Sequence, residues 1–187
     1  MSGFLFALVA VMATSLGSRD QLLIANIAAK LGRSTGLLLV GCAVAIGTAV
    51  AMTFAGQYIA AMLPSAGKTM LVAFALMIAA AELAWPNKRS LIKEPTRSLV
   101  AIGLVLLARQ MGDGSRFLIF AFAAGSGIPW FAGIGGALGG IGAVIVGWFL
   151  AEELAGKLPL RKLRIAMAVA LAIAAIAIGL SARGLLG

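Results

Sequence analysis

A chain of 187 residues that is 62% hydrophobic and 11% charged, with a mean hydropathy of +1.09, has too little polar surface for a soluble domain and reads as an integral membrane protein. Its formal charge of +9 falls mostly in short loops between apolar segments, so it marks topology and not a nucleic-acid partner. With no histidine and Cys42 as the single cysteine, disulfide frameworks, Cys/His zinc sites and histidine-based catalysis are excluded, and no enzymatic activity is expected.

The opening stretch MSGFLFALVAVMATS lacks a positive n-region, and its apolar run resumes after a polar break; it is read as part of a mature membrane helix, not a signal peptide. That first span, about residues 3–31, is interrupted at SLGSRDQ (15–21) and ends at the basic turn KLGRST. A second span at 35–62 and a third at 69–86 are separated by LPSAGK. Glu82, near the end of the third, is assigned to the interface beside Trp85, an aromatic of the kind that anchors helix ends. A charged linker, PNKRSLIKEPTR, leads to a fourth span at 98–125, broken at QMGDGSR (110–116). The fifth, 129–155, is glycine-rich, and the sixth, 164–182, follows KLPLRKLR. The run GIGGALGGIGAVIVG (133–147) lacks the Lys-Ser/Thr ending of a phosphate loop. Its small residues at 133, 136, 140 and 143 form a face for close helix packing, and GCAVAIG (41–47) is expected to make the matching contact. Glu152 and Glu153, beside Lys157, read as a solvated face.

A shift of 95 residues brings the two halves into register without a gap. Gly17, Leu23, Ile24 and Gly32 fall on Gly112, Leu118, Ile119 and Gly127, and Leu63-Pro64 falls on Leu158-Pro159. The chain reads as a tandem duplication. Three spans per repeat force the halves to insert with opposite orientation, a plan common among secondary transporters, whose sites lie at the repeat interface. The predicted fold is therefore all-α: a single transmembrane domain, 1–187, of six helices in two inverted three-helix repeats. Repeat one covers about 3–86, a cytoplasmic linker about 87–97, and repeat two about 98–182, with the first helix of each repeat broken at its Gly-containing motif. Lys30, Arg33, Lys88, Arg89, Lys93, Arg97, Lys157, Arg161, Lys162 and Arg164 follow spans one, three and five, whereas Lys68 and Arg183 lie on the other side. The positive-inside rule then puts both termini outside the cytoplasm. A compact chain without organelle-targeting extensions points to a bacterial inner membrane.

The two interrupted spans hold the polar residues of interest. Each is about 28 residues, or ~42 Å of helix, more than a ~30 Å hydrocarbon core requires. Ser15 and Ser18 are spaced i, i+3, as are Gln110 and Asp113, so each pair faces one side of its helix. An ionisable group at the bilayer centre costs about 2.5–3.5 kcal/mol or more and is paired or functional. Asp113 therefore either pairs with Arg109 or Arg116, or serves a solute.

These stretches resemble the signature of the Gdt-type family of calcium/manganese–proton antiporters, part of the lysine-exporter-like superfamily, which carries a duplicated E-x-G-D-[KR]-[ST] motif on the first helix of each three-helix repeat. The resemblance spans essentially the whole chain. SLGSRDQ keeps Gly17, the basic Arg19 and Gln21, and QMGDGSR keeps Gly112, Asp113 and Ser115. The Glu positions are Ser15 and Gln110, however, and the first Asp position is Ser18, so Asp113 alone survives of the family's four carboxylates. Asp20 stands at the hydroxyl position of the first motif, on a different helical face from Ser15 and Ser18. The resemblance implies that Asp113, Gln110, Ser15, Ser18, Asp20 and Ser115 line the path of a transported manganese or calcium ion, with no other cofactor.

One or two carboxylates with Arg19, Arg109 and Arg116 nearby make a site close to neutral or positive, whereas a divalent cation needs hard oxygen ligands and negative charge. Three functions stay open: cation transport coupled to protons at a weakened site; transport of an anionic or zwitterionic solute on the arginines; or a non-transporting subunit that pairs with an intact-motif partner. The expected surroundings are the lipid bilayer, with a homodimer or heteromer left open and no nucleic acid.

Overall fold

The computed structural model describes residues 2–85, 97–151 and 160–184. Most of the expected linker lies outside these, as do Glu152, Glu153, Lys157 and the Leu158-Pro159 end of the repeat match. The described residues form helices throughout: α1 (Ser2–Ser15), α2 (Arg19–Leu31), α3 (Thr35–Ala60), α4 (Ser65–Ala84), α5 (Leu99–Met111), α6 (Gly114–Gly125), α7 (Pro129–Phe149) and α8 (Leu160–Ala182). Apolar runs choose helix because a chain in lipid must satisfy its backbone internally. By length and composition α3, α4, α7 and α8 can each cross a membrane, and the bent pair α1–α2 is a fifth candidate span; α5 and α6 are shorter apolar helices. The chain is an all-helical membrane protein among its described residues.

Local sequence sets the boundaries. Ser18, Ser34 and Ser98 each cap a helix by accepting the backbone N–H three residues on, at Gln21, Leu37 and Ala101. Pro129 opens α7 at a position where its missing N–H is not needed. Both expected breaks are present. Gly17 takes φ +68°, a left-handed conformation that side chains resist, and α1 turns into α2 at 59°. Gly112 ends α5 at φ −97° and ψ 6°, and Asp113 occupies the N-cap of α6.

Helices α1 and α2 pack along α7; α5 and α6 pack along α3; α3 meets α7; and α4 lies between α6 and α8. Buried apolar side chains collect in two regions. Leu23, Ile24, Ile27, Leu37, Leu106 and Val144 form one, and Val11, Leu76, Ala79, Leu118, Ile119 and Ala175 the other. Phe6, Phe54, Phe74, Val100 and Ile173 are exposed, as lipid-facing groups are.

Glycine permits the closest approaches. A methyl group on Gly133 would strike Thr53, on Gly136 Ile119, and on Gly140 the Arg116 guanidinium, so the expected small-residue face of α7 does meet its neighbours. A second small face, unforeseen from sequence, sets Gly135 and Gly139 against the α1 backbone at Phe4 and Leu8. The expected matching contact at 41–47 is only half made. Gly41 faces Val144 and Ile24, whereas Gly47 has nothing within 4 Å; on α3 the close backbone approach falls instead at Gly56, against Phe120 and Ala123.

Candidate functional site

The two breaks lie together, and each presents backbone groups that a continuous helix would pair internally: carbonyls at the ends of α1 and α5, amides at the starts of α2 and α6. Around them are two small cavities, each with room for about one water molecule. Ser18 and Asp113, the N-caps of α2 and α6, line both.

The first cavity is bounded by Thr14, Ser18, Arg19, Glu82, Asp113, Ser115 and Arg164. Ser115 donates its hydroxyl to Asp113 Oδ2 at 2.6 Å. Glu82 reaches across from α4, and its Oε2 accepts the Gly114 backbone N–H at 2.5 Å, at the positive end of the α6 dipole. The Glu82 and Asp113 side chains line this one cavity, held by the adjacent residues Gly114 and Ser115. Gly114 stands where the motif described above has a basic residue; a methyl group there would strike the Glu82 carboxylate and Ala79, so a side chain at 114 and Glu82 in this position exclude one another. Opposite, Arg164 on α8 donates Nη1 to Gly17 O at 2.6 Å, Nη2 to Glu82 O at 3.0 Å and Nε to Leu83 O at 3.3 Å. Its charge thus rests on the carbonyl end of α1 and the last turn of α4, where the helix dipoles favour a cation.

The second cavity is lined by Ser15, Ser18, Asp20, Gln21, Gln110, Asp113, Arg116, Gly140 and Ala143. Two glutamines frame it. Gln21 Oε1 accepts the Gly17 N–H at 2.7 Å and its Nε2 donates to Ala143 O at 2.9 Å. Gln110 Oε1 accepts from Arg116 Nη2 at 2.9 Å and from Thr48 Oγ1 at 3.0 Å. Arg116 is 3% exposed and Asp20 7%, yet Asp20 Oδ2 and Arg116 Nε and Nη1 have no hydrogen-bond partner.

Most residues singled out in the sequence converge here: Ser15, Ser18, Asp20, Gln110, Asp113, Ser115 and Arg116, with Arg19 exposed at the rim of the first cavity. Arg109 is exposed and lines neither. Two expectations, for Asp20 and Arg164, are corrected, and one open alternative, for Arg116, is narrowed. Asp20 shares the second cavity with Ser15 and Ser18 because the three do not lie on one continuous helix: Ser15 ends α1, Ser18 caps α2, and Asp20 lies in the first turn of α2. Arg116 does not bond directly to Asp113; it donates to Gln110. Arg164, read as a loop charge, is buried and bound to three carbonyls. Glu82 was missed as a site residue, although an acid within an apolar span was the signal that could have found it. Among the described residues, no three His, Cys, Asp or Glu side chains converge as a metal-holding group. Asp113 lines both cavities, joined by Glu82 in the first and by Asp20 in the second. No family model, curated protein or solved structure matches this chain, so its own geometry carries the functional reading.

Proposed function

We propose that this protein is a secondary transporter of the Gdt type, with six spans in two inverted halves, that exchanges a small divalent cation, manganese or calcium, for protons. The single observation that carries this reading is the Glu82–Asp113 pair, two carboxyl groups that line one water-sized cavity beside the helix breaks. A pair so placed can share a proton or release it to a bridging cation, which is the exchange an antiporter needs. Thr14, Ser18 and Ser115 line the same cavity and offer neutral oxygen ligands. Glu82 thereby supplies from α4 a second carboxylate that the two motifs no longer provide. Arg164 directs three of its five N–H donors to backbone carbonyls and not to this pair.

The inverted arrangement is supported by the packing, in which α1 and α2 lie along α7 as α5 and α6 lie along α3. It is supported further by the second cavity, where residues matched by the 95-residue shift meet in pairs: Ser15 with Gln110, Ser18 with Asp113, and Gln21 with Arg116. On this reading α5 and α6 together form the sixth span, and the membrane is a bacterial inner membrane with both termini outside the cytoplasm.

The test is manganese and calcium flux into proteoliposomes, with and without a pH gradient, for wild type, Asp113→Asn and Glu82→Gln. Gradient-driven flux that both substitutions abolish is expected. Flux of an anionic or zwitterionic solute that depends on Arg116 and ignores both acids would replace this reading with the second, and absence of flux in folded wild type would leave the non-transporting subunit.

A further inference from the structure

The second cavity contains more unmet hydrogen-bonding capacity than the first. Asp20 Oδ2, Arg116 Nε and Arg116 Nη1 are all buried without a partner, while the carbonyl oxygens of the two glutamines around them are taken by Gly17, Thr48 and Arg116 itself. A buried unpaired polar group costs about 1–3 kcal/mol, more if charged, so such groups mark a place where charge is balanced or a small ligand sits. Arg116 shares this cavity with Asp20 and Asp113 and bonds directly to neither. Its guanidinium lies against Gly140, where a methyl group would come within 2.8 Å of Nη1, so the α7 wall is shaped to admit it.

We propose that Arg116 is the resident cation of this central cavity: a tethered guanidinium that occupies a cation site framed by Asp20, Asp113, Ser15 and Gln110, with a water molecule bridging it to Asp20 Oδ2. The water donates to the carboxylate and accepts from the guanidinium, and the space available is about that of one water. The inference rests on the transport reading in one respect. It assigns the two cavities different duties, the central one permanently filled by the chain's own charge and the Glu82–Asp113 one left to load. The ligand class of the central cavity is then a small planar organic cation, and a free one should enter once the tethered one is cut away.

The test is chemical rescue, read as thermal stability of purified protein in detergent and therefore independent of flux. Arg116→Ala is expected to melt several degrees below wild type and to recover at least half of that loss in about 10 mM methylguanidinium, while neutral methylurea at the same concentration restores nothing. Wild type, its site filled, gains nothing from methylguanidinium. Equal response of Arg116→Ala to both solutes overturns the proposal. Should Arg116→Ala fail to fold, Arg116→Lys and Arg116→Met decide the matter: a stability order of Lys above Met in the wild-type background, abolished when Asp20→Asn removes the opposing charge, is expected. Met at or above Lys, or an order indifferent to Asp20, overturns the proposal. Rescue without any cation flux would uphold the tethered cation while refuting the transporter reading.

Discussion

The two breaks share a sequence frame and differ in nearly everything attached to it. At the first, Gly17 is left-handed at φ +68°, the helix bends by 59°, and the cap of α2 is the neutral Ser18. At the second, Gly112 stays at φ −97°, and the cap of α6 is Asp113. A remote residue then attends to each break according to its polarity. Arg164 binds the Gly17 carbonyl within the first break, and Glu82 binds the amide that starts α6. A similar backbone device occurs at both breaks; charges from α4 and α8, which have no counterpart at the positions 95 residues away, make the two different. Position 177, which matches Glu82 under the shift, is Ala177, and the match to Arg164 is Thr69. The lesson is that two similar helix breaks are set apart by residues on neighbouring helices as much as by their own sequence.

That comparison can be broken or sharpened by substitution. The largest effect is expected at the acids: Asp113→Asn should lower cation flux by about two orders of magnitude, in the range typical for loss of a proton-transferring group, whereas Ser18→Ala at the matched cap should lower it far less. Proteoliposome uptake measures both, and equal losses would erase the functional difference between the halves. Next comes the clamp on the first break. Arg164→Ala removes three charge-assisted bonds to carbonyls and should cost about 3 kcal/mol, seen as a lower midpoint in thermal unfolding. Arg164→Lys cannot span Gly17, Glu82 and Leu83 at once and should recover only part of the loss.

Backbone strain gives a smaller contrast. Gly17→Ala forces a side chain into a left-handed conformation and should cost about 1–2 kcal/mol. Gly112→Ala, with only the Arg109 carbonyl near its added methyl at 3.9 Å, should change stability by less than about 0.5 kcal/mol. A matched pair of melting curves decides it, and similar losses would mean the two breaks are conformationally alike. Smallest is Gly47→Ala, which meets nothing within 4 Å and should gain about 0.5–1 kcal/mol from helix propensity alone. A loss there would reveal a partner surface on α3.

Much of this was legible in the sequence, and for physical reasons. Apolar runs bounded by serine caps, glycines and Pro129 fixed where helices start and stop, because these signals act within a few residues. The two breaks were legible because glycine and polar residues interrupt otherwise apolar spans at matching positions. The motif residues were found, and Ser15, Ser18, Gln110 and Asp113 do line one cavity. What was not legible depends on contacts between distant helices. Nothing local to Arg164 distinguishes it from the loop cations Arg161 and Lys162, and its carbonyl partners lie 81 to 147 residues away. Glu82 reads as an interfacial acid until α4 is laid against α6, 32 residues on. Asp20 was misplaced because angular reckoning along one continuous helix does not apply across α1, its break and α2.

The central claim is that Glu82 and Asp113, from different helices, act as one cation- and proton-binding pair. The most direct test is a double-mutant cycle on proton-driven manganese flux with Glu82→Gln, Asp113→Asn and the two combined. If the carboxyl groups are one unit, each single substitution abolishes flux nearly as fully as the pair, and the combined loss is far smaller than the product of the two. If Glu82→Gln transports like wild type, or if the two losses multiply, the acids act separately and the account is contradicted.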